Sequence, residues 1–426
     1  MRGKFVSLFA LFLAVLLFIY VLQCGYVTII DDVEMSEQPQ FSYHQCIQED
    51  NLLRRSCLFY NLCYDRNTST FVYHQQQPPM RRYISGKHES FIPLLKLSTE
   101  DDHNDFMLAH IRKHAIPNDV IWLEAESAVL HAPVYPDNFG HRIDSVFSAY
   151  NLRMRFKHEI DDFQVIIPFG RDCRTQLNEA NSNSETICTK YETLFEVISS
   201  FPILSISTDP PFAYNNVDAP LVCMKKLIAG EGSLGMNRDD AGHFNHFIRS
   251  LINHYSVTLP PTIKHHSIGI VNKGEGRRQV TNFPELQAYL ESTFVVEVTI
   301  INNIHMMSIP EQIDLMRRFS VVISPCGGIS FSTLFKAPGT SAVYIGYWSP
   351  TKNKPEQMEQ YIWTSQADVS DFYYPVYRNE SFVRNPPAAS TEFQKFRNYA
   401  DVQVNFPRMR QIVQHAMYST ERRLGW

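Results

Sequence analysis

Between residues 267 and 345 short runs of β-branched residues alternate with stretches of helical spacing, and no other feature of the chain narrows its possible folds as far. Ser267–Asn272 (SIGIVN) and residues 294–301, 321–324 and 342–345 read as strands. Residues 283–291, 310–319 and 330–336 read as the helices between them, with Pro284 at an early helical position. Strands that alternate with helices across tight turns form a parallel sheet with right-handed crossovers. Such sheets bind ligands beyond the carboxyl ends of their strands, beside helix N-termini.

The upstream half is less regular. Residues 120–123, 163–168 and 203–207 read as short strands. Residues 142–155 place Ile143, Val146, Phe147 and Tyr150 on one helical face, and residues 241–255 do the same with Phe244, Phe247, Ile248 and Leu251. Leu259-Pro260-Pro261 ends that second helix and marks a boundary between two α/β domains, 46–258 and 259–426. A chain of 426 residues is long enough for both.

The N-terminus sets the compartment. Residues 5–22 (FVSLFALFLAVLLFIYVL) are interrupted only by Ser7. At 1.5 Å per residue they span about 27 Å, close to a hydrocarbon core. Arg2 and Lys4 precede the run, and Asp31, Asp32 and Glu34 follow it, which places the N-terminus in the cytosol. The run exceeds the apolar core of a signal peptide and no A-x-A-like site follows, so it reads as a signal anchor rather than a cleaved leader. The expected layout is a cytosolic tail at 1–4, a transmembrane helix at 5–22 that can extend to 30, a stem at 31–45 and the two luminal domains. That is a single-pass type II protein of the Golgi or endoplasmic reticulum membrane.

Every cysteine but Cys24 follows the anchor: Cys46, Cys57, Cys63, Cys173, Cys188, Cys223 and Cys326. The first three crowd together as a local disulfide knot would, and Cys173 and Cys188 bracket a polar loop that a bridge could staple. The set is odd in number, which leaves one cysteine unpaired or bonded to another chain. Asn67 and Asn379 head N-x-S/T sequons suited to glycosylation in the same compartment. A net charge of −5 provides no basic field for nucleic acid.

Few residues carry obvious chemistry. Gly327 and Gly328 join a buried strand to a helix, a turn that serves either backbone approach to a phosphate or simple chain reversal. Arg277 and Arg278 leave another carboxyl-end loop, where guanidinium forks suit a diphosphate or merely face solvent. Glu311 and Gln312 open a helix, and an acidic first turn also complements the helix dipole. His141 and Asp144 stand three apart at a loop-to-helix junction, as a general base with its carboxylate or as a capped turn. His243, His246, His265 and His266 lack a third metal ligand and read as core or surface histidines. No G-x-S-x-G elbow, Walker loop, H-E-x-x-H or strict Asp-x-Asp occurs, so no metal is expected to hold a nucleotide.

Taken in order, these stretches resemble glycosyltransferase family 61, secretory-pathway enzymes that include N-acetylglucosaminyl- and pentosyltransferases. The resemblance runs from the cysteine-rich segment 57–64 through Asn138-Phe139-Gly140-His141 with Asp144. It continues through Arg277, Arg278 and Asn282 and the Glu311-Gln312 helix to residues 324–335 (SPCGGISFSTLF). The last stretch stands where the family has G-x-H-G-A-G-L-[ST]-N-x-x-F, so its His is Cys326 here and its Ala is Gly328. The resemblance implies a GT-B-like fold, two Rossmann-like domains facing a cleft. It also implies inverting, metal-independent transfer from a UDP-sugar to a hydroxyl of a glycoprotein or polysaccharide acceptor. His141 and Asp144 are then the expected base region. Arg277, Arg278, Asn282, Glu311, Cys326, Gly327 and Gly328 are the expected donor-binding set. Cys326 keeps open an inactive member that binds sugar or protein, since a thiol cannot replace an imidazolium against a phosphate.

Overall fold

The structure, a computed structural model, describes residues 41–426 apart from 48–54, 77–93, 97–105, 133–138, 169–183, 207–208, 210–211, 213–219, 233–239, 256–262, 274–277, 359–365 and 367. The expected anchor and residues 31–40 of the expected stem lie outside the described residues, as do the proline break at 259–261, Asn138, Cys173 and Arg277, whereas the end of the expected stem enters the first sheet from Tyr43. Among the described residues no helix is long and apolar enough to cross a membrane.

Ten strands form the first sheet: β1 (Tyr43–Ile47), β2 (Ser56–Asp65), β3 (Thr70–His74), β4 (Leu94–Lys96), β5 (Phe106–Arg112), β6 (Ile121–Trp122), β7 (Ser127–Leu130), β8 (Gln164–Ile167), β9 (Leu204–Ser205) and β10 (Leu221–Gly230). Their order is β4-β5-β3-β2-β10-β7-β8-β9, with β1 added to β2 and β6 to β10. Helix α1 (Phe139–Arg155) links β7 to β8 and helix α2 (Ser184–Phe195) links β8 to β9, so β10, β7, β8 and β9 are parallel. The chain then returns to lay β10 beside β7, and a crevice between those two strand ends follows from that reversal. Helix α3 (Asp240–His254) packs on α1, with the Phe147 and Phe244 rings edge to face at 4.9 Å.

Both disulfides among the described residues join positions opposite each other in the ladders, Cys46 with Cys57 and Cys63 with Cys223. Only the first is local. Cys63 leaves the expected knot because β2 runs antiparallel to β10, which brings Cys223, 160 residues away in sequence, directly across from it. Cross-links that close long loops restrict the unfolded chain most. Replacing Cys63 and Cys223 together by alanine is expected to lower stability by about 2–5 kcal/mol. The midpoint of urea unfolding reads this, and an unchanged midpoint would remove the bridge from the account.

The second sheet is wholly parallel. It comprises β11 (Ser267–Asn272), β12 (Glu297–Asn302), β13 (Val321–Pro325), β14 (Ser341–Ile345) and, after the hairpin β15 (Tyr347–Ser349) and β16 (Lys354–Glu356), β17 (Ser370–Tyr374). Spatial order is β12-β11-β13-β14-β17, a doubly wound arrangement. Helices α4 (Phe283–Phe294) and α5 (Ile309–Met316) make the first two crossovers, close to the positions expected. The C-terminal helix α6 (Phe406–Leu424) turns Met409, Val413, Ala416 and Thr420 inward, and Ser341 Oγ donates to the Ala416 carbonyl at 2.9 Å.

One connection departs from expectation. Residues 330–336 do not form an α-helix; Gly328–Phe335 is a buried 3-10 run instead. Its hydroxyls donate back to carbonyls three residues earlier, Ser330 to Gly327 at 2.8 Å, Ser332 to Ile329 at 2.8 Å and Thr333 to Ser330 at 2.7 Å. Such bonds compete for the carbonyls an α-helix would use and favour the tighter winding. The run packs into a core shared by both sheets, in which Val129, Val165 and Phe147 are continuous with Ile329, Phe331, Phe335 and Tyr344.

Candidate active site

In the second sheet the chain moves from β11 outward to β12 and then back across β11 to β13. That reversal falls between β11 and β13, and beyond the carboxyl ends of such a strand pair parallel sheets bind nucleotides. Arg278 stands there at φ 59°, a backbone conformation that bulky L-residues seldom adopt. The conformation turns its side chain into the sheet end, where the residue is only 6% exposed. Nη1 lies 3.5 Å from Cys326 Sγ and 3.5 Å from Met358 Sδ. A Cβ at position 327 would lie 2.3 Å from Arg278 Nη2, and Gly327 itself has φ 106°, so glycine is required there on both counts.

No carboxylate among the described residues pairs with Arg278, and its buried Nε has no hydrogen-bond partner. Sulfur is a weak acceptor. Desolvating a cation without a carboxylate is costly, and an anionic ligand would offset that cost.

The other expected donor-side residues divide. Cys326 is a fully buried thiol outside both disulfides, and its backbone N–H donates to the Ile345 carbonyl at 2.9 Å. That N–H is therefore committed to the sheet and does not face a phosphate. Asn282 donates to the Val404 carbonyl at 2.8 Å and accepts from the Val404 N–H at 3.0 Å, so its amide ties the start of α4 to the chain before α6. Glu311 is exposed and forms a reciprocal cap with Ser308. The backbone N–H and hydroxyl of Ser308 hold its carboxyl below the usual range. Gln312 is the buried member of that pair, donating to the Met307 carbonyl at 3.1 Å.

On the other side, the first turn of α1 meets the glycine loop. A Cβ on Gly140 would lie 2.7 Å from Gly328 Cα and 2.7 Å from the Phe331 ring, and the Phe139 ring meets Phe335 edge-on at 6.2 Å. Two sequence stretches far apart in the chain are thus brought backbone to backbone. His141 is half-buried beside this contact, whereas Asp144, one turn on, is buried. The structure adds His131, which follows β7 directly and is fully buried, with Nε2 3.0 Å from Ser145 Oγ. No local pattern marks it, because β7 has only four residues. Of the other histidines singled out by spacing, His243 Nδ1 lies 2.7 Å from Asn151 Oδ1 and His266 Nε2 lies 3.0 Å from Glu421, both structural contacts. Among the described residues no cluster of three His, Cys, Asp or Glu side chains is placed to hold a metal ion.

Gly140→Ala is expected to cost about 1–3 kcal/mol, because the backbone at Gly328 cannot swing aside as a flexible side chain would. Thermal unfolding checks this; an unchanged midpoint would mean that the contact is loose.

A mixed α/β architecture with a strand-order reversal of this kind fits a glycosyltransferase. The family model described as Glycosyltransferase 61 matches residues 139–343, from the first residue of α1 into β14, and so includes both sides of the Gly140–Gly328 contact. Over that stretch the chain is similar to glycosyltransferase family 61. Comparison with curated proteins gives no match.

Proposed function

We propose that the protein transfers a sugar from a UDP-sugar to a hydroxyl of a glycoprotein or glycan, with inversion and without a bound metal. The observation that carries this reading is Arg278, a buried guanidinium without a carboxylate, laid over Gly327 at the reversal of a parallel sheet. In this reading the guanidinium neutralises the charge that grows on the leaving diphosphate, the stabilisation that acts most strongly in a water-poor site. The acceptor proton leaves toward the start of α1, where His141 is half-exposed and the buried Asp144 orients the turn. The two sheets act as the two halves of a GT-B-like cleft, with the donor on the second.

The cysteine chemistry supports a luminal setting, since both disulfides persist only where thiols are not kept reduced. Asn67 and Asn379 are exposed, Asn67 in the turn between β2 and β3, as glycan acceptors must be. Anchoring through residues 5–22 as a type II protein of the Golgi or endoplasmic reticulum completes the proposal.

The test incubates the full-length protein with a panel of UDP-sugars, with and without EDTA, and records nucleotide binding and UDP release. Binding with EDTA-insensitive release supports the reading and names the donor. Failure of every nucleotide sugar to bind overturns it. Burial of a thiol where the family has histidine favours a second reading, an inactive binding module. Nucleotide binding without release on any acceptor would favour that one.

A further inference from the structure

Met358 is touched by two guanidinium groups from distant parts of the chain. Arg278 Nη1 reaches its sulfur at 3.5 Å and Arg397 Nε at 3.1 Å. Arg397 belongs to the turn Lys395–Tyr399, beyond the residues matched by the family model, and its guanidinium lies 5.8 Å from the Phe393 ring centroid. Unlike Arg278 it is exposed, so Met358 carries one buried and one solvent-facing guanidinium.

Neither arginine pairs with a carboxylate among the described residues. Glu356, on the strand that precedes Met358, is engaged by Lys352 at 3.0 Å and Lys354 at 3.2 Å. Tyr347 lies within reach of both guanidiniums: burial raises its phenol, and Arg397 and Arg278 both pull it down. Two cations on one thioether, about 7 Å apart or less, repel each other, and a thioether screens neither. A multiply charged anion lying against both would relieve that repulsion.

We infer that Arg278 and Arg397 clamp the two phosphates of a diphosphate between them, with Met358 as the apolar spacer that keeps the forks apart. The inference rests on the donor reading above and extends it: Arg397 selects diphosphate over monophosphate. The probes are inorganic pyrophosphate, UDP and UMP, titrated calorimetrically into the full-length protein and its Arg397→Ala, Arg397→Lys and Arg278→Ala variants. Charged hydrogen bonds of this kind set the expected loss, about 10- to 100-fold in pyrophosphate and UDP affinity for Arg397→Ala. UMP should weaken by less than about threefold, because it engages one arginine only. Arg397→Lys should recover part of the loss, since the charge returns without the fork.

Arg397 is exposed, so its variants should melt with the wild type, which separates lost binding from lost folding. Unchanged pyrophosphate and UDP affinity in Arg397→Ala would overturn the clamp and leave the donor reading standing. Arg397-dependent pyrophosphate binding by a protein that binds no nucleotide sugar would keep the clamp and sink the donor reading.

Discussion

Arg278→Ala is expected to lower UDP affinity by about 10²–10³-fold while leaving the unliganded protein as stable as before, or more so. The two effects have opposite signs because one side chain causes both. In the ligand complex the guanidinium supplies charge-assisted bonds in a buried setting, each of about 1.5–3 kcal/mol. Without ligand the same group is 6% exposed, touches two sulfurs and has no carboxylate, so the fold bears its desolvation uncompensated. The backbone adds to that burden, since φ 59° favours glycine over other residues by about 1 kcal/mol. Arg278→Gly should therefore be more stable than Arg278→Ala and equally poor in binding. Calorimetric titration with UDP beside thermal unfolding separates the terms. An Arg278→Ala protein that binds UDP as tightly as the wild type would end the proposed role.

Why the second sheet was legible and the first largely was not follows from particular strands. Val321–Pro325 and Ser341–Ile345 are buried on both faces and bounded by turn residues, so each reads as a short apolar run. β2 and β10 are longer, yet each carries a polar centre. Tyr60-Asn61 interrupts one and Lys225-Lys226 the other, and Asn61 takes φ 55° there. The ladder pairs Leu62 with Met224 and Tyr60 with Lys226, passing over the residues between, so the period-two pattern breaks where the strands do. β17 (SDFYY) escaped notice because only Tyr374 is fully buried.

The candidate site was legible to a similar extent. The glycine loop and Arg278 could be placed because strand ends of a parallel sheet are where such groups gather. That Gly140 would abut Gly328, or that Arg397 would reach Met358, depends on tertiary proximity that no local pattern carries. Asn282 and Cys326 show the converse. Their positions in the motif order suggest a donor site, yet Val404 and Ile345 take the amide of one and the backbone N–H of the other.

The second large effect is expected behind the glycine loop. Lys336, which ends the 3-10 run, is buried with Nζ 3.5 Å from the Phe319 carbonyl, and burial depresses its ammonium to about 7, opposed by Asp371. Burial raises Asp371 to about 7, opposed by a hydrogen bond from Tyr344 and by the charges of Lys336 and Arg423. Tyr344 Oη lies 2.8 Å from Thr333 Oγ1, so the group supports the run that follows Gly327. Asp371 contributes its full stability below its ordinary 3.8 and loses it as pH rises through 7. Lys336 contributes its full stability above its ordinary 10.5 and loses it as pH falls through 7. Both contributions are therefore at their lowest near neutrality, where the fold holds two groups that water would rather keep charged. Lys336→Met with Asp371→Asn removes both titrations and leaves an amide oxygen to accept from Tyr344. The pair of substitutions is expected to stabilise the protein by about 1–4 kcal/mol near pH 7. The gain should shrink toward pH 4 and toward pH 10, as the wild type recovers one contribution or the other. Denaturant midpoints of the two proteins at pH 4.5, 7 and 9.5, roughly the low, middle and high parts of that window, decide it. A difference that stays flat across them, or a loss at pH 7, would show that the pair holds the run in place as ions.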